Sequence, residues 1–96
     1  MDVVKRIEII VPTVEVNAVL KRFKKVGIVK YNLIGHVVGR GETGEVVEDW
    51  DDHSGNTYIL TTCKAGEEDK LFWELQPILQ KFGGVCLVSD AVCYRC

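Results

Sequence analysis

Residues 3–27 read VVKRIEIIVPTVEVNAVLKRFKKVG and carry the pattern of a strand followed by a helix. Over residues 3–11, β-branched side chains dominate and apolar positions alternate, which predicts a strand that Pro12 ends. Over about residues 14–26, apolar side chains recur at three- and four-residue spacing, which predicts an amphipathic helix. Gly27 suits the left-handed position at which many helices end. This stretch therefore forms one strand–helix unit.

A second strand–helix unit lies in the C-terminal half of the chain. Residues 57–64 alternate and predict a strand, and the apolar face of residues 67–82 predicts a helix. Pro77 falls inside the helical pattern, so we expect a kink or a break there. Two glycines end the helix, and residues 85–92 predict the last strand.

One further strand is predicted between the two units, over residues 28–38, with Leu33 and Val37 on the same face. The order is then strand, helix, strand, strand, helix, strand. This order is typical of a ferredoxin-like α+β fold, in which an antiparallel four-stranded sheet carries both helices on one face. A chain of 96 residues has room for a single such domain, spanning residues 1–96.

Charge and hydropathy exclude two classes of partner. The chain has 12 Lys and Arg against 14 Asp and Glu, which argues against nucleic acid as the main partner. Apolar runs such as residues 9–11 are far too short to span a bilayer, and the N-terminus does not resemble a signal peptide. We expect a cytoplasmic protein without direct membrane insertion.

Residues 39–56 differ from the rest because they combine four glycines with six acidic residues and a single base, Arg40. Their formal charge is −5, against +3 for the remainder of the chain. A connection of this length and composition predicts a long mobile loop that carries function. Trp50 is either an anchor for a partner or packed on its own domain. The acidic residues 48–53 form either a solvated loop, which we favour, or a cation site.

The cysteines and histidines give weaker signals. Cys93 and Cys96 are either incidental thiols, which we favour, a disulfide, or half of a metal site. Cys63 and Cys86 lie on other predicted strands. His36 and His53 have no serine or cysteine motif beside them that would indicate nucleophilic catalysis, so an enzyme is not expected.

The chain resembles the PII and PII-like signalling proteins over nearly its whole length, and four segments carry the resemblance: IEIIVP at 7–12, VGI at 26–28, VGRG at 38–41 and FGGVCLVSD at 82–90. The resemblance implies a homotrimer with adenine-nucleotide sites in the clefts between subunits. It also implies that the long loop (the T-loop) reaches a partner, often a membrane transporter or a metabolic enzyme.

The resemblance implies two sets of site residues. The nucleotide-binding set is Ile9, Val38, Gly39, Arg40, Gly41, Thr62, Phe82, Gly83, Gly84, Val85, Cys86 and Arg95. The partner-binding set in the loop is Glu42, Glu45, Glu48, Trp50 and Asp52. From the residues themselves, the glycines around Arg40 either cradle a phosphate with their N–H groups or form an exposed turn.

Three departures from the family pattern modify the expected ligand. Val85 stands where PII proteins proper carry a basic residue after the glycine turn, and Arg95 is alone where they have paired arginines. The loop also lacks the tyrosine that is modified in the family. We therefore expect AMP or ADP over ATP, as in the PII-like groups tied to inorganic carbon, with cyclic AMP and bicarbonate as further ligands and no tightly bound cofactor. The alternative is a metal or redox sensor that uses Cys93, Cys96 and the acidic loop.

Overall fold

The structure is a computed structural model that describes residues 1–39 and 55–96. A 3₁₀ turn over Thr13–Glu15 joins the first strand to the first helix. The elements in chain order are β1 Asp2–Pro12, α1 Val16–Lys25, β2 Asn32–Val37, β3 Asn56–Cys63, α2 Glu67–Phe82 and β4 Val85–Cys93.

The four strands form one antiparallel sheet in the order β2-β3-β1-β4. Ile7 and Ile9 of β1 are fully buried in the same core as the helices, so they define the helix side of the sheet. Glu8 and Ile10 alternate with them and define the open side. The ferredoxin-like fold is therefore confirmed. No helix in the described ranges is long and apolar enough to cross a membrane.

The core lies between the helix side of the sheet and the two helices. Its fully buried side chains include Val19 and Phe23 of α1, as the spacing of residues 14–26 predicts. From α2 it receives Leu71 and Leu75, which are 1% and 0% exposed. Burial of each such side chain stabilises the fold by about 1.5–3 kcal/mol.

Helix α2 departs from the prediction in two ways. It continues through Pro77 as one element, so of the predicted kink or break, the break does not occur. Proline has no N–H to donate to the carbonyl of Trp73, four residues before it. Because Pro77 is exposed, water can donate to that carbonyl in its place. The apolar pattern also predicts Phe72 in the core, yet this ring is 46% exposed because Leu71 and Leu75 occupy the buried face.

Strand β2 is shorter than predicted and is irregular. It begins at Asn32 because the chain before it joins β3 through a side chain: the Thr61 hydroxyl donates to the Lys30 carbonyl over 2.8 Å. Its pairing then shifts, since Ile34 pairs with Tyr58 but Val37 pairs with Asn56. One extra residue therefore forms a bulge. This puts Leu33 and Val37 on opposite sides of the sheet, and their predicted common face is wrong.

Candidate functional site

The antiparallel order gives the sheet two chemically different ends. At the Pro12 end, β1 and β2 finish while β3 and β4 begin. At the Asp2 end, β1 and β2 begin while β3 and β4 finish. Because loops emerge at both ends, either end is a place where ligand-binding residues from several elements meet.

The Gly83-Gly84 turn brings backbone close to β1 at the Pro12 end. Gly83 has a φ of 78° and ends α2, where its N–H donates to the Leu79 carbonyl over 3.0 Å. Gly84 has a φ of 133°, and a Cβ built on it would lie 2.6 Å from the Ile10 carbonyl oxygen. Only glycine fits this position without a shift of backbone.

Most described members of the predicted nucleotide set fall at the Pro12 end. They are Ile9, Val38, Gly39, Phe82, Gly83, Gly84, Val85 and Cys86. A cavity of about 610 Å³ lies beside the glycine turn and is lined by Phe72, Leu79 and Phe82. Ile9 is fully buried and pairs with Cys86, so it supports the end of the sheet and offers no surface to a ligand. Burial raises the pKa of the Cys86 thiol.

The remaining predicted site residues lie outside the described part of the chain. They are Arg40 and Gly41 of the nucleotide set, and Glu42, Glu45, Glu48, Trp50 and Asp52 of the partner set.

A larger cavity, of about 870 Å³, lies at the Asp2 end. Thr62 and Arg95, the other two members of the nucleotide set, both line it. So does the turn after α1, residues 27–30, together with Lys64 and Glu67. Sequence reasoning missed this turn as a site, although the antiparallel order alone places it beside the end of β3.

The two groups of candidate residues are too far apart to share a ligand within one chain. Val85 begins β4 at the Pro12 end, and Cys93 finishes it at the Asp2 end, two residues before Arg95. Eight residue-to-residue steps of extended strand separate them, which is a distance of about 26 Å. A nucleotide that touches both Gly84 and Arg95 must therefore take them from two copies of the chain.

The open side carries a polar network that the sequence did not indicate. The Tyr58 hydroxyl donates to Glu8 over 2.9 Å, and this hydrogen bond raises the pKa of Tyr58. Arg6 lies 3.3 Å from the Glu8 carboxylate and donates to the Ser89 hydroxyl over 3.1 Å. Apolar side chains share this side of the sheet: Val4, Ile10, Ile34, Leu60, Val85, Leu87 and Ala91.

Cys93 and Cys96 form a disulfide, so the favoured interpretation of incidental thiols is wrong. The chain bends directly after β4, which leaves the two Cα atoms 5.9 Å apart, within the range that a disulfide spans. Cys63 is a free, buried thiol whose pKa is raised, chiefly by that burial. Over residues 1–39 and 55–96, no three His, Cys, Asp or Glu side chains come together as a metal site would require.

Solved structures similar to this chain include the PII-like protein CPII of Thiomonas intermedia, bound to ADP, AMP and bicarbonate. It has a TM-score of 0.87 and 20% identity, covering 98% of this chain and 91% of that one. The apo form of CPII has a TM-score of 0.78 at 20% identity, covering 94% and 90%. A PII-like signalling protein of Thermus thermophilus has a TM-score of 0.71 at 18% identity, covering 95% and 90%.

At these identities the structures establish the fold. A search of curated protein sequences found no match. The family assignment rests on a sequence model described as nitrogen regulatory protein P-II, which matches residues 4–96 and so includes both ends of the sheet. This chain belongs to the nitrogen regulatory protein P-II family.

Proposed function

We propose that this chain is a homotrimeric, PII-like regulator that binds an adenine nucleotide in clefts between its copies. The observation that carries the proposal is the division of the candidate residues between the two ends of one sheet. Each chain supplies a glycine-turn half at the Pro12 end and an Arg95 half at the Asp2 end. A ring of copies joins the two halves once at every interface.

The open side of the sheet supports association between copies. Ile34 and Leu87 are 59% and 57% exposed there, on the two edge strands of the sheet. A sheet face with this much exposed apolar surface is stabilised by covering it. The network of Arg6, Glu8 and Tyr58 already pairs its polar groups within one chain, which lowers the cost of burying them.

The two halves offer complementary chemistry for a nucleotide. The glycine turn lacks side chains and so lets a phosphate approach the backbone closely, and Arg95 adds a fixed positive charge from the other half. The structures of CPII contain ADP with bicarbonate, and ADP with AMP and bicarbonate or acetate, which supports the same ligand classes here. Because Val85 offers no charge to a third phosphate, we expect AMP or ADP to bind at least as well as ATP.

The partner would contact the acidic loop, whose proposed docking residues are Glu42, Glu45, Glu48, Trp50 and Asp52. A net charge of −5 over residues 39–56 calls for a basic surface, such as the cytoplasmic face of a membrane transporter or a basic patch on a metabolic enzyme. In this role the chain regulates its partner from the cytoplasm and catalyses no reaction of its own.

The metal or redox alternative gains no support. Cys93 and Cys96 are bonded to each other, so they do not offer a pair of thiolates to a metal. The acidic loop that would complete such a site lies outside the described residues.

Calorimetric titration with AMP, ADP, ATP and cyclic AMP, each with and without bicarbonate, tests the ligand. Light scattering at several protein concentrations tests the assembly. We expect a trimer that binds AMP or ADP, and loss of that binding in Arg95→Glu with the trimer intact. A monomer at every concentration, or a trimer that binds none of the nucleotides, would overturn the proposal.

A further inference from the structure

Strand β2 contains an unusual residue just before it leaves the sheet. His36 has a φ of 59°, the single positive φ at a non-glycine position within residues 1–39 and 55–96. Side chains other than glycine adopt this left-handed conformation uncommonly, although histidine tolerates it better than most. It coincides with the bulge between Ile34 and Val37.

The bulge decides which side of the sheet each following residue faces. In a regular continuation, Gly35 would pair with Thr57 and His36 with Asn56. Because of the extra residue, Val37 pairs with Asn56 instead. A shift of one residue moves every later side chain to the opposite side.

The shift changes the side of the sheet that Val38, a candidate nucleotide-binding residue, faces. Val37 shares the open side with its partner Asn56, so alternation continued by one residue places Val38 on the helix side. Cys86 and Val11 lie on that side too, and a Cβ on Gly84 would meet Val11 at 3.2 Å. In a regular register Val38 would face the open side, away from this group.

β2 and β4 are the two edge strands of the sheet, so the end of β2 and the glycine turn before β4 lie three strand spacings apart at the Pro12 end. Three spacings amount to about 14 Å, so one ligand must extend across this end of the sheet to reach both.

Local packing does not account for the left-handed residue. Gly35 is the next residue back and would adopt a positive φ without steric conflict, yet His36 carries it. His36 is exposed, so burial of the imidazole does not compensate. Bulges and left-handed non-glycine residues that packing does not explain concentrate beside binding sites, where they direct a side chain.

We propose that His36 is a positioning residue, whose left-handed backbone forms the bulge that places Val38 on the helix side of the sheet at the Pro12 end, the side that Cys86 and the Gly83-Gly84 turn also occupy, for nucleotide binding. This inference rests on the proposed function for its ligand. It assigns the role to the backbone of His36, and the imidazole contacts no ligand.

Three substitutions of His36 and one control separate the backbone from the side chain. His36→Gly and His36→Asn tolerate a positive φ and keep the bulge, whereas the β-branched His36→Val disfavours it. Gly35→Ala is the control, because its added Cβ would meet nothing within 4 Å. The first readout needs no ligand: a cross-strand nuclear Overhauser contact between Val37 and Asn56 reports the bulged register. The second is the Kd for ADP by calorimetry.

We expect the glycine, asparagine and control variants to keep the Val37–Asn56 contact and a wild-type Kd. The valine variant should lose the contact and bind about tenfold more weakly or worse, since its binding-competent register is depleted. If His36→Val does not fold, the milder His36→Ala, whose side chain also disfavours a positive φ, takes its place and should shift both readouts in the same direction.

Two results would overturn the inference. One is unchanged ADP affinity in a variant that has lost the Val37–Asn56 contact. The other is weakened affinity in His36→Gly and His36→Asn while the contact persists, because the imidazole itself would then act. Failure of the proposed function is distinct, since the wild-type chain would then bind no nucleotide.

Discussion

At the residue scale, the Gly83-Gly84 turn shows how the absence of a side chain lets one segment of backbone approach another closely. The two glycines differ in what surrounds them. A Cβ on Gly83 would meet nothing within 4 Å, whereas a Cβ on Gly84 would lie against the Ile10 carbonyl and the Leu79 side chain. Both have a positive φ, so substitution of either strains the backbone, but only Gly84 is also sterically required.

We therefore predict a graded response to alanine. Gly83→Ala should lower the free energy of unfolding by about 1–3 kcal/mol through backbone conformation alone, because the φ of 78° and ψ of 174° at this position are essentially confined to glycine. Gly84→Ala should cost more, because the main chain of β1 or β4 must also move. Gly35→Ala, with open space and an ordinary φ, should change little. Urea unfolding of the three variants measures the series. Equal losses at positions 83 and 84 would contradict the close approach to Ile10.

Glu68 is a second residue whose contribution can be measured, through the dependence of stability on pH. Hydrogen bonds from its own backbone N–H and from that of Gly66 hold the pKa of its carboxyl below the ordinary value, and Lys5 at 3.7 Å adds to this. Because the pKa is lower in the folded state, the ionised carboxylate stabilises the fold at pH values above the pKa that the group has in the unfolded chain. That contribution is lost as the pH falls through the folded-state pKa.

Glu68→Gln should therefore lower the Tm at pH 7 and flatten the fall of Tm below about pH 4, where an ordinary glutamate becomes protonated. Circular dichroism melting between neutral and acidic pH compares the variant with the wild type. Asp69→Asn, in the same first turn of α2, is the matched control. Parallel curves for wild type and Glu68→Gln would show that the carboxylate does not contribute.

At the element scale, periodicity predicted each helix and strand because each of them packs one face on a shared core. Phe23 and Leu75 lie where the helical spacing puts them, fully buried. Strand β2 was the exception. Its bulge depends on pairing with β3, and its start depends on the Thr61 hydroxyl reaching Lys30, so both are long-range effects that a local pattern does not contain.

Helix α2 gives a prediction at this scale. In a helix interior, proline is less favourable than alanine by about 3 kcal/mol. Proline also restricts the unfolded chain, and losing that restriction in an alanine variant offsets about 1 kcal/mol of the gain. Pro77→Ala also restores an N–H that can donate to the Trp73 carbonyl, and Pro77 is exposed, so little packing is lost.

We expect Pro77→Ala to raise the free energy of unfolding by about 1–2 kcal/mol in urea, without altering the Kd for ADP. Gln80→Ala, one turn further along the exposed surface, should change the stability much less. A decrease on Pro77→Ala would mean that the ring makes contacts worth more than the missing hydrogen bond.

At the scale of the whole molecule, the candidate site could be predicted only in part. The glycine turn and Arg95 were identified as site residues through the resemblance to the PII proteins. Their placement at opposite ends of the sheet was not, because it follows from strand pairing over the whole sheet. The open-side network of Arg6, Glu8 and Tyr58 was missed for the same reason, since its members are distant in sequence.

If the nucleotide site is divided between two copies, variants damaged in different halves should complement each other, which a site within one chain would not allow. Gly83→Asp places a carboxylate at the glycine-turn half, where open space accepts the side chain. Arg95→Glu reverses the charge of the other half. Either variant alone should form trimers that fail to bind ADP, because each interface then contains one damaged half.

Trimers refolded from an equal mixture of Gly83→Asp and Arg95→Glu chains should recover ADP binding at about one quarter of the clefts. A cleft is intact only when an Arg95→Glu chain supplies the glycine turn and a Gly83→Asp chain supplies Arg95. Random assembly around a ring gives this combination at about one interface in four. Calorimetric stoichiometry measures the recovered fraction, and each variant refolded alone is the control. If the mixture binds no more ADP than the separate variants while light scattering shows mixed trimers, the nucleotide does not bridge two copies through Gly83 and Arg95.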